Sequence, residues 1–253
     1  MNGLDTNKLA IFVEGRTEQI FAEKLVRFLG RSADIAIRVE RREGGRRKPR
    51  HAIEITGTRE PGGHDFFILI VDCGQDESVK SDIIDSYDTL IRKGYRCIIG
   101  MRDVLPHRRE DIHHVREGFK FRLKTNPVEP FLILAVMEIE AWFLAEYSHF
   151  PRIHPNLTLE RIRRELDFDP SDDDMQLRDH PAKDLEEIYF LEKIIYGKSR
   201  GDIERTVDNL DCSLIRSEVA TRIDDLGRLV RLVQGFFDSP KQAAYLGAFI
   251  RSG

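Results

Sequence analysis

The chain has 253 residues, of which 41% are hydrophobic and 33% charged, with a formal net charge of −4. This composition is typical of a soluble globular protein rather than of a disordered chain. Because the net charge is small, any affinity for nucleic acid must come from local clusters of charge and not from the field of the whole protein. Three scattered cysteines without a C-x-x-C pair argue against a disulfide framework or a thiolate zinc site, so we expect a reducing cytoplasm. We also predict no export signal and no membrane span, because no apolar run approaches the ~20 residues that a bilayer requires.

Apolar runs typical of buried strands alternate with helical periodicity along the first 150 residues. The first run ends at Val13, and Glu14 and Gly15 separate it from a helix that starts near Thr17. The later elements are a strand at 34–39, apolar strands at 66–71, 97–101 and 131–136, and a helix at 77–93. This alternation predicts an α/β fold with a mostly parallel sheet, in which the carboxyl ends of the strands share one edge.

The strand signals fade from residue 151 onward. Helical periodicity continues in four segments, at 158–167, 181–196, 201–210 and 214–236. We therefore predict two domains, an α/β domain of residues 1–150 and a helical C-terminal region of residues 151–253 that packs on it.

Acidic residues follow each predicted buried strand, namely Glu14, Asp72, Asp103 and the pair Glu138 and Glu140. Gathered at one edge of a sheet, such carboxylates suit Mg²⁺, or Mn²⁺ in its place, because hard cations prefer oxygen ligands. Two ions about 4 Å apart could clamp the attacking and leaving oxygens of a phosphodiester. Glu138 and Glu140 stay unranked, because a strand would place them on opposite faces and a helix on neighbouring turns.

Each of these acids also has a structural interpretation. An aspartate after a strand is often a helix cap or a turn residue. Glu18 lies one helical turn beyond Glu14 and could reach the same ion, or it could be a carboxylate that favours the start of a helix. Asp82 is interpreted as part of a solvated helix face.

Basic residues are concentrated after the strand at 34–39, between residues 40 and 51, a segment that we interpret as a flexible loop. Arginine side chains suit phosphate oxygens, so this loop is a candidate for binding nucleic acid. The alternative is a charge run that faces solvent or an ATPase partner. The candidate residues are Arg41, Arg42, Arg46, Arg47, Lys48 and Arg50.

The sequence Val13-Glu14-Gly15-Arg16-Thr17-Glu18 resembles the first motif of Toprim domains, the fold shared by topoisomerases, primases and OLD-type nucleases. The resemblance implies that Glu14 and Glu18 bind Mg²⁺. Toprim domains also carry an Asp-x-Asp pair after a later strand, but here Gly74 stands where the second aspartate belongs. Whether Asp72 or Asp103 carries the second metal motif therefore stays open.

Later segments resemble a smaller, functionally ill-defined Toprim-related family that is often encoded beside ATPases in phage-defence loci. The residues concerned are those at 136–142, 180–183 and 196–198. This resemblance implies an ATPase partner, and it implies that Lys183 or Lys198 neutralises a scissile phosphate. The alternative for either lysine is an exposed surface residue.

These features together predict a cytoplasmic, Mg²⁺-dependent nuclease that acts on DNA or RNA in an antiphage defence system. Glu138 and Glu140 would be ligands or a water-orienting base. One alternative is a non-catalytic Toprim-like module that binds nucleic acid or an ATPase, and another is a hydrolase of small phosphate esters. The oligomeric state stays open, with a homo-oligomer among the options.

Overall fold

The computed structural model describes residues 6–45, 48–57, 63–74 and 78–238, without the side chains of residues 45, 48 and 49. It confirms the α/β class. A six-stranded sheet has the order β3-β2-β4-β1-β5-β6. Its strands are β1 (Asn7–Val13), β2 (Ile35–Gly45), β3 (Lys48–Gly57), β4 (Phe66–Asp72), β5 (Tyr95–Asp103) and β6 (Phe131–Ala135).

The sheet is mostly parallel, as predicted. Strand β1 pairs in parallel with β4 and β5, and β4 pairs in parallel with β2, whereas β2 and β3 are antiparallel. All seven residues of β4 are buried, and so are the last five of β1. Strands covered on both faces need continuous apolar runs, which explains why β1 and β4 are easy to recognise in the sequence.

Helices follow the parallel strands and make up most of the chain beyond residue 139. The helices before that point are α1 (Arg16–Leu29), α2 (Ser78–Arg92) and α3 (Ile112–Lys120). Those after it are α4 (Glu140–Ala145), α5 (Phe150–Ile153), α6 (Leu159–Leu166), α7 (Pro181–Phe190), α8 (Arg200–Asn209), α9 (Cys212–Leu214), α10 (Ala220–Arg222) and α11 (Asp224–Asp238).

The described part of the basic segment that we predicted to be a flexible loop is instead the end of β2 and the start of β3, and residues 46 and 47 lie outside the described ranges. The prediction was wrong because β3 is the edge strand of the sheet and most of its described side chains are exposed. An edge strand needs no alternating apolar face, and it also tolerates Pro49, which cannot donate to a neighbouring strand. Periodicity therefore gave no strand signal.

The helix predicted at 214–236 is interrupted. A π-helical turn (Ile215–Val219) separates α9 from α10, and Ile223 is extended, with φ −117° and ψ 103°. Asp225, in the first turn of α11, accepts a hydrogen bond at Oδ1 from the backbone N–H of Leu134. The break thus positions a buried carboxylate to bind a backbone donor, a long-range contact that periodicity does not reveal.

The chain forms two compact units that interleave along the sequence. The first contains residues 1–102, 116–133 and 229–253, and the second contains residues 103–115 and 134–228. The predicted domains of residues 1–150 and 151–253 stay a prediction. The first unit holds most of the sheet, and the second is largely helical.

Candidate functional site

Two predicted site residues lie at the carboxyl edge of the parallel strands in the first unit. Asp72 is the last residue of β4, and Glu14 directly follows β1. The register pairs Val13 with Asp72, and the neighbouring strand β2 places Arg41 opposite Asp72 on its other side. Val13, Asp72 and Arg41 therefore form one row across three strands, with Glu14 one residue beyond it.

Asp72 is almost fully buried, and both of its carboxylate oxygens accept hydrogen bonds. Oδ2 lies 2.8 Å from Nε of Arg41, and Oδ1 accepts the backbone N–H of Gly74 at 2.9 Å. Paired residues on parallel strands point to the same face, which explains why Arg41 reaches Asp72. A buried carboxylate requires such compensation, because an unpaired charge in the interior is costly.

Gly74 explains the departure from the Asp-x-Asp pattern in conformational terms. Its φ is 73°, in the left-handed region that favours glycine over residues with a side chain. The turn after β4 thus brings the Gly74 amide back to Asp72, where the Toprim pattern would have a second carboxylate. Asp72 is consequently the only one of the two motif positions that can supply a side-chain ligand here.

Glu18 is buried in the first turn of α1. Its Oε2 accepts the backbone N–H of Gly15 at 3.0 Å, a contact that stabilises the start of the helix where Gly15 has no capping side chain. Glu18 therefore has the position and the contact that its interpretation as a helix-start carboxylate predicts. Glu14, in contrast, is only partly buried and lies at the edge itself.

Arg50 and Arg42 of the β2–β3 hairpin donate hydrogen bonds to residues of α2. Arg50 binds both oxygens of Asp82 on α2, at 2.8 Å from Nε and 2.6 Å from Nη2, and it also donates to the carbonyl of Cys73 at 2.7 Å. Arg42 donates to Oγ of Ser86 at 3.1 Å. Arg46 and Arg47 lie outside the described residues, and so does the side chain of Lys48.

The interpretation of Asp82 as solvated is wrong, because its side chain is only 3% exposed and pairs with Arg50. The contact joins residues 32 positions apart, so no local pattern could have revealed it. Cys73 lies beside this pair. Burial and the nearby Asp82 carboxylate raise the pKa of its thiol, which makes it a poor nucleophile at neutral pH.

A second group of predicted residues meets within the second unit. The Lys198 ammonium lies 3.1 Å from Oε1 of Glu138 and 3.2 Å from Oε1 of Glu140. Oε2 of Glu138 accepts the backbone N–H of Ala182 at 2.9 Å, at the start of α7. Tyr196, which sequence reasoning did not propose as a site residue, donates to Oε1 of Glu140 at 2.9 Å. We call these residues the lysine cluster.

Glu140 is wholly buried at the start of α4, and its Oε2 has no hydrogen-bond partner among the described residues. Burial raises the pKa of Glu140 above its ordinary value, and the Lys198 ammonium opposes this shift. Partial burial disfavours the ammonium of Lys198, but the carboxylates of Glu140 and Glu138 raise its pKa overall. Lys198 is therefore charged at neutral pH and is not a nucleophile.

The backbone on both sides of the lysine cluster is strained. Met137 has a φ of 62° and Lys198 a φ of 55°, in the left-handed region that is uncommon for residues with a side chain. One of these conformations is next to Glu138 and the other is at Lys198 itself, and the surrounding structure holds them in place. Strain of this kind concentrates at functional sites, so it marks the cluster as a candidate.

The other two predicted residues are Lys183 and Asp103. Lys183 is 69% exposed and lies 3.7 Å from Glu187 on the same face of α7, as the surface interpretation predicts. Asp103 is the buried last residue of β5 and belongs to the second unit. Within the described ranges, no group of three or more His, Cys, Asp or Glu residues has an arrangement that could hold a metal ion.

Comparisons with known proteins add no identification. No family model, curated protein or solved structure matches the chain. In the described part of the chain, every helix is too short or too polar to cross a membrane. The fold thus defines the class of the protein, an α/β protein in which the Asp72 carboxylate and the Arg41 guanidinium pair at the carboxyl edge of the sheet.

Proposed function

We propose that the protein is a metal-dependent phosphodiesterase that cleaves nucleic acid at the carboxyl edge of its sheet. The observation that carries this proposal is the position of buried Asp72 on β4, between Arg41 on β2 and the end of β1, which Glu14 directly follows. Open α/β sheets bind ligands outside the carboxyl ends of their strands, and here that edge presents both carboxylates and a guanidinium.

The donor set fits Mg²⁺ or Mn²⁺, because Mg²⁺ is usually held by one or two carboxylates and keeps several waters. Glu14 and Asp72 are the residues that would hold it. When bound, the ion would activate water and offset the charge that develops on the phosphate. Glu18 would take part through its contact with Gly15, which fixes the turn that carries Glu14.

The experiment is a cleavage assay on single-stranded DNA and RNA with Mg²⁺, Mn²⁺ or EDTA, using the wild type, Glu14→Gln and Glu43→Gln. Glu43 is an exposed acid on β2 and serves as the matched control. Cleavage that requires the metal and Glu14, but not Glu43, would support the proposal. A purified, folded Glu14→Gln variant that still cleaves would contradict it.

A second candidate function is a non-catalytic module that binds nucleic acid or an ATPase partner. The observation in its favour is that several of the predicted catalytic acids already have internal partners. Arg41 pairs with Asp72, the Gly15 amide binds Glu18, and Lys198 pairs with Glu138 and Glu140. This candidate predicts nucleic-acid binding without cleavage and without a gain in melting temperature on addition of Mn²⁺.

The resemblance to the defence-associated family extends the proposal to an antiphage role, in the cytoplasm and with an ATPase partner. Only that resemblance supports this part. The test is protection of bacterial cells against phage by the wild-type locus compared with the Glu14→Gln variant. Equal protection by both would separate defence from the proposed chemistry.

A further inference from the structure

We infer that Arg41 is the phosphate-binding residue of this site and that Asp72 positions it for one phosphate of a nucleic-acid strand. The inference rests on the proposed function, because it assigns a substrate contact at the same edge of the sheet. It begins from a difference among the arginines of the β2–β3 hairpin, which the sequence presents as equivalent.

Among Arg41, Arg42 and Arg50 of the hairpin, Arg41 alone combines a fixed guanidinium with an open outer edge. Its Nε donates to Asp72, while its two Nη nitrogens have no hydrogen-bond partner among the described residues and are not buried. Its side chain is 30% exposed. Arg50 has both Nε and Nη2 occupied, and Nε of Arg42 is buried.

Asp72 holds the guanidinium firmly. Its side chain is 3% exposed, and its other oxygen is bound by the Gly74 amide, so the carboxylate cannot rotate without losing a contact. The strand register also places Arg41 directly opposite Asp72. An arginine fixed in this way loses little conformational freedom on binding, and its planar pair of Nη donors matches two phosphate oxygens.

The position of Arg41 explains why a phosphate would bind beside acids. The Arg41 charge offsets that of Asp72, so a phosphate at the outer edge of the guanidinium meets no net repulsion from this pair. Glu14 follows the adjacent strand, where a cation would add further positive charge. Asp72, which holds Arg41 and is itself a proposed metal ligand, would therefore connect the phosphate contact with the metal site of the proposed reaction.

The test measures binding of a labelled 20-nucleotide single-stranded DNA, and of RNA with the same sequence, by fluorescence anisotropy in EDTA. We expect Arg41→Gln to weaken binding about tenfold, which corresponds to the loss of one charge-assisted hydrogen-bonded contact. The slope of log K against log salt should fall in magnitude by about 1. The affinity of Arg41→Lys should lie between those of the wild type and Arg41→Gln, because lysine keeps the charge and lacks the paired donors of arginine.

Asp72→Asn separates positioning from simple electrostatics. If Asp72 only adds negative charge, its neutralisation should tighten binding of the strand. If it positions Arg41, the variant should bind more weakly than the wild type even though the local charge has become more positive. Arg27→Gln is the matched control, because Arg27 is an exposed arginine that pairs with Glu23 in the same unit.

The inference would be overturned if Arg41→Gln had the same affinity and salt slope as the control Arg27→Gln. It would also be overturned if Asp72→Asn bound the strand more tightly than the wild type. Binding of inorganic phosphate or a mononucleotide, but not of the oligonucleotides, would also overturn the assignment to a strand. Because EDTA removes the metal, an Arg41-dependent affinity without any cleavage in Mg²⁺ would leave the inference standing while the proposed nuclease fails. Cleavage that depends on Glu14 but not on Arg41 would support the proposed nuclease and overturn the inference about Arg41.

Discussion

The ammonium of Lys198 lies 3.2 Å from Oε1 of Glu140, a carboxylate without any exposed surface. The two residues are 58 positions apart, at the start of α4 and just before α8. Glu140 has only one other side-chain partner among the described residues, the hydroxyl of Tyr196. Lys198 is therefore the charge that makes burial of Glu140 tolerable, which gives the lysine a structural role whether or not it meets a phosphate.

Replacing Lys198 with methionine should destabilise the protein by about 2–3 kcal/mol. Removing one partner of a buried pair costs about 3–5 kcal/mol, and the lower figure allows for the 43% exposure of the lysine side chain. Urea unfolding of Lys198→Met, Glu140→Gln and the double variant measures the coupling. We expect the double variant to lose less than the sum of the single losses. Additive losses would mean that the two side chains do not stabilise each other.

Stability should fall as the pH rises above about 4.5, the ordinary pKa of a glutamate, because burial raises the pKa of Glu140 in the folded state. A carboxyl with a raised folded-state pKa binds more protons in the folded than in the unfolded chain, so unfolding becomes easier with increasing pH. The contribution is complete below pH 4.5 and is lost as the pH passes the folded-state value. Urea unfolding between pH 4.5 and 8 should show this slope in the wild type and a smaller slope in Glu140→Gln. Equal slopes would contradict the assignment.

Replacing Arg50 with methionine should cost about 3 kcal/mol, because it leaves the buried Asp82 carboxylate without its bidentate partner. The Cys73 carbonyl would lose a donor as well. Replacing Arg50 and Asp82 together, by methionine and asparagine, should recover part of the loss. The measurement is again chemical denaturation, with Arg27→Met as the exposed control. A loss no larger than that of the control would show that the pair is not important for stability.

Gly57→Ala should destabilise the hairpin by about 2–3 kcal/mol, whereas Gly118→Ala should stabilise by about 0.5–1 kcal/mol. Gly57 has a φ of 114°, and a Cβ there would lie 2.1 Å from the carbonyl oxygen of Ile37. Gly118 lies within α3 and has open space around its Cα. Thermal unfolding of the two variants makes the comparison. Equal melting temperatures would contradict the described end of β3.

The sequence was most informative about elements that are buried on both sides. The runs that became β1, β4, β5 and β6 stand out because a covered parallel strand needs consecutive apolar residues. The exposed edge strand β3 carries no such pattern and was missed. The break at Ile223 was also missed, because it contains no glycine or proline and the contact of Asp225 with Leu134 joins residues 91 positions apart.

For the candidate site, the sequence could indicate which residue types follow which strands but not their partners. Glu14 and Asp72 lie at the predicted strand ends because local patterns of burial encode where a strand stops. Asp82 looked like a solvated helix residue, since its partner Arg50 is supplied by a strand that the periodicity did not show. Tyr196 gave no signal of its contact with Glu140, because the two residues are 56 positions apart in the chain.

The amino-acid sequence by itself determined the α/β class and the repeated order of strand, acid and helix. It could do so because the hydrophobic effect buries apolar residues, and buried strands and helices leave short-range apolar patterns in the chain. Only the tertiary structure decided which charges meet. The pairing of Arg41 with Asp72 follows from the register of β2 against β4, and the pairing of Lys198 with Glu140 follows from the packing of distant helical segments. These two charge pairs join residues far apart in the chain, and no local pattern of residues contains that information.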